Sequence, residues 1–256
     1  MTTKSIAKAR SLMDLLATSC EGSANLETLH ILSGYPKATV KRILDDMQEL
    51  GLVYRRLADK RYVLLNMDQA TFDPINILVK DLSPVLQHLH QSTGLFSDFV
   101  MLRQGQPSII ESNFSLSNLR STADRVIGAR PSLRESAAGR TLYAETNACP
   151  ELDKIHEHWA DTLQQEKSRG VYQRIEGSWE YGFDKPFDIR AIALPVRFKG
   201  ETIAALSLYW NGRIQQQAGN NHEQVRLLAG ARDKMEEIIA DRAMLYRRLA
   251  LELPFD

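Results

Sequence analysis

Only two of the 256 residues are cysteine, Cys20 and Cys149. Far apart and without neighbouring ligand pairs, they suggest neither a disulfide framework nor a zinc cluster, and they read as ordinary buried thiols. Long apolar runs are missing as well. The longest, IAALSLYW from Ile203 to Trp210, falls far short of the roughly 20 residues that a membrane span needs. Near the N-terminus, Lys4, Lys8 and Arg10 precede a segment broken by Asp14 rather than a signal-peptide core. No membrane association and a cytoplasmic location are therefore expected. The 14 glycines never stand one residue apart, which excludes G-x-G-x-x-G, and neither G-x-x-x-x-G-K-[ST] nor G-x-S-x-G occurs. The sequence offers no nucleotide-binding or hydrolase motif and implies no cofactor.

Net charge is also absent, with 32 basic against 32 acidic residues, but the balance hides an asymmetry. Residues 1–65 hold 10 Lys and Arg against 7 Asp and Glu, leaving 22 against 25 for the remainder. Four of the basic residues, Arg55, Arg56, Lys60 and Arg61, crowd one short stretch beside a single acid, Asp59. The apolar spacing around that stretch is informative. Residues 4–18 carry a broad apolar helical face. Asn25 offers an N-cap to a short helix over 26–32, and Ser33-Gly34 ends it. Pro36 suits a first turn, after which Val40, Ile43, Leu44, Met47 and Leu50 recur at steps of three and four. Residues 52–56 and 61–65 are β-prone and joined by a compact loop.

Three helices and a hairpin make a winged helix-turn-helix over residues 1–65, and its basic hairpin tip suits DNA phosphates or the minor groove. Lys37, Thr39, Arg42, Arg56, Lys60 and Arg61, with the amides of the third helix, are candidates for phosphate contacts; Ala38 or Lys41 could read base edges.

Residues 66–74 read as a junction. A linker helix follows over 75–91, and its apolar stripe, with that of the first helix, suits burial between two chains. Residues 66–92 are thus a linker and 93–256 a second domain. There, β-like runs at 98–102, 108–111, 189–196 and 202–210 alternate with helical stretches at 132–145, 150–169 and 221–249, an α+β arrangement around a mostly antiparallel sheet. Ile203, Ala205, Ser207 and Tyr209 share one face of an alternating strand, where a Ser and a Tyr among apolar residues suit either a small-molecule pocket or satisfied core hydroxyls. His156 and His158, like His88 and His90, stand two apart, which on a helix points them about 200° from each other and excludes a shared metal ion. Glu176, Glu180, Asp184 and Asp188 read as a solvated acidic segment rather than a catalytic set.

The stretches SIAKARSLMDLLA, LSGYPKATVKRILDDMQELGLVYR and YVLL, with RPSLRESAAGRTLYAE, IRAIALPV and ETIAALSLYW, resemble the IclR family of bacterial transcriptional regulators along nearly the whole chain. The resemblance implies a GAF-like effector-binding second domain, homodimers or homotetramers, and regulation rather than enzymatic activity. Carried over by position, it implies an effector pocket formed by Ala137, Ala138, Gly139, Ile189, Ala191, Ser207 and Tyr209. The family often has a small polar residue or Cys where Ala191 stands, and a small residue where Tyr209 stands. IEGSW ahead of AIALPV resembles members that control aromatic-acid degradation, so the effector expected is a small organic acid, aromatic or partly apolar. The alternative expectation is a constitutive DNA-binding protein whose second domain only oligomerises.

Overall fold

The computed structural model describes residues 3–65, 73–114, 126–146, 157–181, 185–213 and 222–248. Cys149, His156, Asp184, junction residues 66–72, the start of the helix expected over 150–169, and Asn221 and Leu249 lie outside these.

The N-terminal unit packs α1 (Thr3–Thr18), α2 (Leu26–Ser33) and α3 (Lys37–Glu49) against β1 (Ser23–Ala24), β2 (Val53–Arg55) and β3 (Tyr62–Leu64), in the order β1-β3-β2. Local chemistry sets the turn. The Asn25 side chain accepts from the Thr28 amide at 2.8 Å, and Gly34, at φ 68°, ends α2 in the left-handed conformation that glycine tolerates best. Val40, Ile43, Leu44 and Met47 of α3 meet Leu12, Leu16 and Leu29 in a closed core. Strand β1, two residues long, exists only through its pairing with Tyr62 and Val63.

The second unit comprises α4 (Ile75–Thr93), β4 (Phe96–Arg103), β5 (Gln106–Ser112), α5 (Ala137–Glu145), α6 (Glu157–Arg169), β6 (Tyr172–Gln173), β7 (Ile189–Phe198), β8 (Glu201–Asn211) and α7 (His222–Arg248). Its five strands run in the order β5-β4-β8-β7-β6, every neighbouring pair antiparallel. Lys199 and Gly200, at φ 52° and 85°, make the two-residue turn between β7 and β8, the geometry that matches strand twist.

Strand alternation gives the sheet two apolar faces. Leu206, Leu208 and Trp210, with Ile192, Leu194 and Val196, pack against α4 and α7. Ala205 and Tyr209, with Val100 and Ala193, face α5. Three sequence expectations are corrected. The α4 stripe of Leu78, Val79, Leu82, Leu86 and Leu89 lies in its own chain's core beneath the sheet, so it is not kept for a second chain. Ile203 packs on the α4 side, away from Ala205, because the ladder shifts there: Val196 pairs with Ala204 but Arg197 with Thr202. Helix α5 starts at Ala137, not at Ser132.

Candidate functional site

Two surfaces carry the residues singled out by sequence. On α3, Lys37, Ala38, Lys41 and Arg42 are exposed and Thr39 is half-buried. Lys37 pairs with Glu27, Lys41 with Asp45 at 2.7 Å and Arg42 with Asp46 at 3.6 Å, all solvent-facing pairs. Such pairs contribute little, so their cations can be re-partnered by phosphate at small cost. The hairpin is arranged differently. Arg56 makes a two-pronged, half-buried pair with Asp59 at 3.0 and 2.6 Å. Lys60 donates to the Leu57 carbonyl at 2.9 Å, and Arg61 to the Ser23 carbonyl at 2.5 Å. Arg55, counted in the basic stretch but not among the expected phosphate contacts, is the exposed cation of this hairpin and lies over the Tyr62 ring, 5.6 Å from its centroid.

The hairpin loop is fastened to the second unit by one carboxylate. Glu111 of β5, 1% exposed, accepts from the backbone amides of Leu57 and Ala58, both at 2.9 Å, and from the Tyr54 hydroxyl, with Ser83 Oγ 3.2 Å away. Its own neighbour Ser112 adds a backbone amide at 2.9 Å. Burial raises the Glu111 carboxyl above the usual range, and these donors oppose the rise.

The second surface is a cavity between α5 and the face of β4, β7 and β8, about 650 Å³ counting its open mouth. Ala137, Ala138, Ile189, Ala191, Ser207 and Tyr209 line it; Gly139 does not. Gly139 has another reason to be glycine, since a Cβ there would come within 2.1 Å of the Ser132 carbonyl oxygen. That close approach and the cap set the start of α5: Ser136 Oγ accepts from the Gly139 amide at 2.9 Å and donates to the Ser132 carbonyl at 2.7 Å. Arg140, almost wholly buried, then ties α5 to α6 through Glu166 at 3.0 and 2.5 Å.

Residues that the sequence reading missed complete the cavity, among them Asp98, Phe114, Arg174, Trp179 and Tyr181. Asp98 of β4 pairs across the ladder with Ser207 of β8 and Ser112 of β5. Its carboxylate accepts from the Tyr209 hydroxyl at 3.2 Å and from the Ser112 hydroxyl. Burial pushes its pKa up to about 6, against the lowering effect of those two donors. Burial likewise holds the Tyr181 and Tyr209 hydroxyls well above the usual phenol range, so both stay neutral donors. Ser207 Oγ lies 3.5 Å from the Asp98 carbonyl, too far for a useful bond. Arg174 is committed: it reaches Glu180 at 3.0 and 2.5 Å and the Ser178 carbonyl at 2.6 Å. Among the described residues no group of His, Cys, Asp and Glu is placed to hold a metal ion, and no helix is long and apolar enough to cross a membrane.

Residues 5–57 match the IclR helix-turn-helix domain. No curated protein matches the chain. Among solved structures, a proposed transcriptional regulator from Rhodococcus sp. RHA1 shares the fold at a TM-score of 0.51 and 16% identity, over 94% of this chain and 99% of that one. An IclR homolog from Microbacterium sp. strain HM58-2 does so at 0.50 and 16%, over 92% and 98%. A third, an IclR homolog complexed with 4-hydroxybenzoate from Microbacterium hydrocarbonoxydans, scores 0.48 at 18% identity, over 93% and 99%, a likeness that carries nothing about ligands across to this chain. The N-terminal unit is thus similar to the IclR helix-turn-helix domain, and with the antiparallel sheet unit that follows, the chain shares the fold of those solved structures.

Proposed function

We propose that the chain is an IclR-family transcriptional regulator that binds duplex DNA through α3 and the hairpin beside it, and that a small organic acid with an aromatic or otherwise apolar body controls it from the cavity under α5. The observation that carries the reading is the cavity itself: apolar walls, few polar groups, and a helix start at one side. Ala137 and Ala138 are the first two residues of α5, whose amides have no acceptor within the helix, and such positions favour an anion. Val100, Ile109, Phe114 and Ala191 offer the ring an apolar wall.

Strand β5 links the two surfaces. Ser112 bonds Asp98 in the cavity, and the adjacent Glu111 bonds the hairpin loop. A ligand that favours one placement of β5 thereby favours one placement of the hairpin, which is the differential binding that allosteric control requires. The working form is a homodimer or homotetramer. Since the α4 stripe is used inside the chain, pairing falls to α1, where Ile6 is 57% exposed. Sedimentation velocity at micromolar concentration should give a dimer or larger, and a monomer would contradict this.

Thermal-shift screening of the full chain against phenylpropionates, benzoates and short dicarboxylates tests the effector reading. At least one acid should raise Tm and change DNA affinity. If DNA binding is tight and no small molecule alters it, the second domain serves assembly alone.

A further inference from the structure

We infer that the cavity recognises a ring hydroxyl: Asp98, held by Tyr209 and Ser112, accepts a hydrogen bond from the hydroxyl of a hydroxylated aromatic acid whose ring lies among Val100, Phe114 and Tyr209. The inference rests on the effector reading above and specifies its ligand.

The charge inventory of the cavity leads there. Of the lining residues among those described, only Asp98 and Arg174 carry charge. Arg174 is neutralised by a two-pronged pair with Glu180, and no ion pair engages Asp98 among the described residues. A carboxylate removed from water without a cation is costly unless donors surround it. A carboxylate offers about four acceptor positions, and protein hydroxyls occupy two on Asp98, from Tyr209 and Ser112. The remaining capacity lies on the half-buried side chain that lines the cavity. The raised pKa agrees with a carboxylate short of donors.

The same inventory separates possible partners. An acid group placed against Asp98 would set two carboxylates together, so the ligand's acid belongs at the α5 start and its donor at Asp98. A hydroxyl suits a site lined by aromatic rings, where Phe114 and Tyr209 lie 6.4 Å apart, ring centre to ring centre. This mostly apolar lining takes an aryl group, and a phenol presents its donor in the ring plane. None of these groups stands alone. Asp98, Ser207 and Ala193 are successive cross-strand partners on β4, β8 and β7, so the acceptor is set on an interior strand of the sheet.

The test is titration calorimetry on the full chain at neutral pH with two matched pairs: 3-(3-hydroxyphenyl)propionate against 3-phenylpropionate, and 3-hydroxybenzoate against benzoate. In the wild type, the hydroxylated member of at least one pair should bind tenfold to a hundredfold more tightly than its partner, as a hydrogen bond to a charged group implies. Asp98→Ala should bring that ratio to about one, and Asp98→Asn, which keeps a neutral acceptor, should leave an intermediate ratio. Thermal melts of each variant report folding, and the ratio within a variant is insensitive to general loosening of the site. If the acids bind but the hydroxyl confers no advantage, or the advantage survives in Asp98→Ala, the hydroxyl assignment is overturned and the effector reading stands. If phenethylamine binds where all four acids fail, the donor is an ammonium and the acid reading falls with the hydroxyl assignment. Binding of none of the five at millimolar concentration overturns both.

Discussion

Glu111 and Asp98 lie on neighbouring antiparallel strands, yet the fold treats these two withdrawn carboxylates differently. Glu111 accepts three backbone amides and a tyrosine hydroxyl, and its donors come from both halves of the molecule. Asp98 accepts two hydroxyls and opens onto a cavity. The first is a satisfied group that fastens the hairpin to the sheet. The second is left partly unsatisfied where a ligand could complete it. The difference lies in the supply of donors together with the open side of Asp98, and it suggests reading withdrawn acids by what still lacks a partner.

Removing the fastening should have the largest effect. Glu111→Ala leaves the Leu57 and Ala58 amides and the Tyr54 hydroxyl without their acceptor, and Ala58 is 1% exposed, so water cannot readily replace it. A loss of about 3 to 5 kcal/mol in urea unfolding is expected. Asp98→Asn, by contrast, should leave stability near that of the wild type at low pH and raise it at neutral pH.

That second expectation follows from proton linkage. Unfolded, the Asp98 carboxyl titrates near 3.8; folded, at about 6. Below about pH 4 it is protonated in both states and costs nothing. Above about pH 6 it is ionised in both, and the folded state bears the burial cost. Wild-type stability measured relative to Asp98→Asn should therefore fall as pH rises through this window, by on the order of 3 kcal/mol. The groups facing Asp98 from the packed elements are Tyr209, Tyr181, Glu111 and the Arg174–Glu180 pair, and all are retained in both proteins. A flat difference would mean that Asp98 is not short of donors.

Smaller effects sharpen the contrast further. Ser112→Ala withdraws one of the two donors to Asp98 without touching the Glu111 side chain, and should weaken binding of a hydroxylated acid by about 0.5 to 1.5 kcal/mol in calorimetry. On the DNA side, Lys41→Ala and Arg42→Ala should each lower the salt slope of duplex binding by about one. Arg56→Ala should change it less, because Asp59 already holds that side chain.

Much of this architecture was legible in the residues. Asn25, Gly34 and Pro36 mark the turn before α3, and alternation in ETIAALSLYW separates Leu206 and Leu208 from Ala205 and Tyr209. The illegible parts depend on partners distant in sequence. Strands β1 and β6 are two residues long and exist only as pairings. The ladder shift that turns Ile203 away is a property of β7 and β8 together. The start of α5 is set by the approach of Gly139 to Ser132. In the candidate site, the strand face of Ser207 and Tyr209 could be read from period two, whereas the engagement of Arg56, Lys60 and Arg61 within the hairpin could not. Asp98 did leave a signal: in FSDFVML it is an acid on the same strand face as Phe96 and Val100, an anomalous place for a charge with no task.

The most direct measurement is DNA binding with the cavity filled and empty. A duplex selected by the full chain from a random pool would be titrated by fluorescence anisotropy, with and without saturating 3-(3-hydroxyphenyl)propionate, for the wild type and Asp98→Ala. A shift in wild-type Kd of about fivefold or more, of either sign, is expected, and it should be lost in Asp98→Ala at the same ligand concentration. An unchanged Kd in the wild type while calorimetry shows the ligand bound would contradict the coupling of cavity to hairpin.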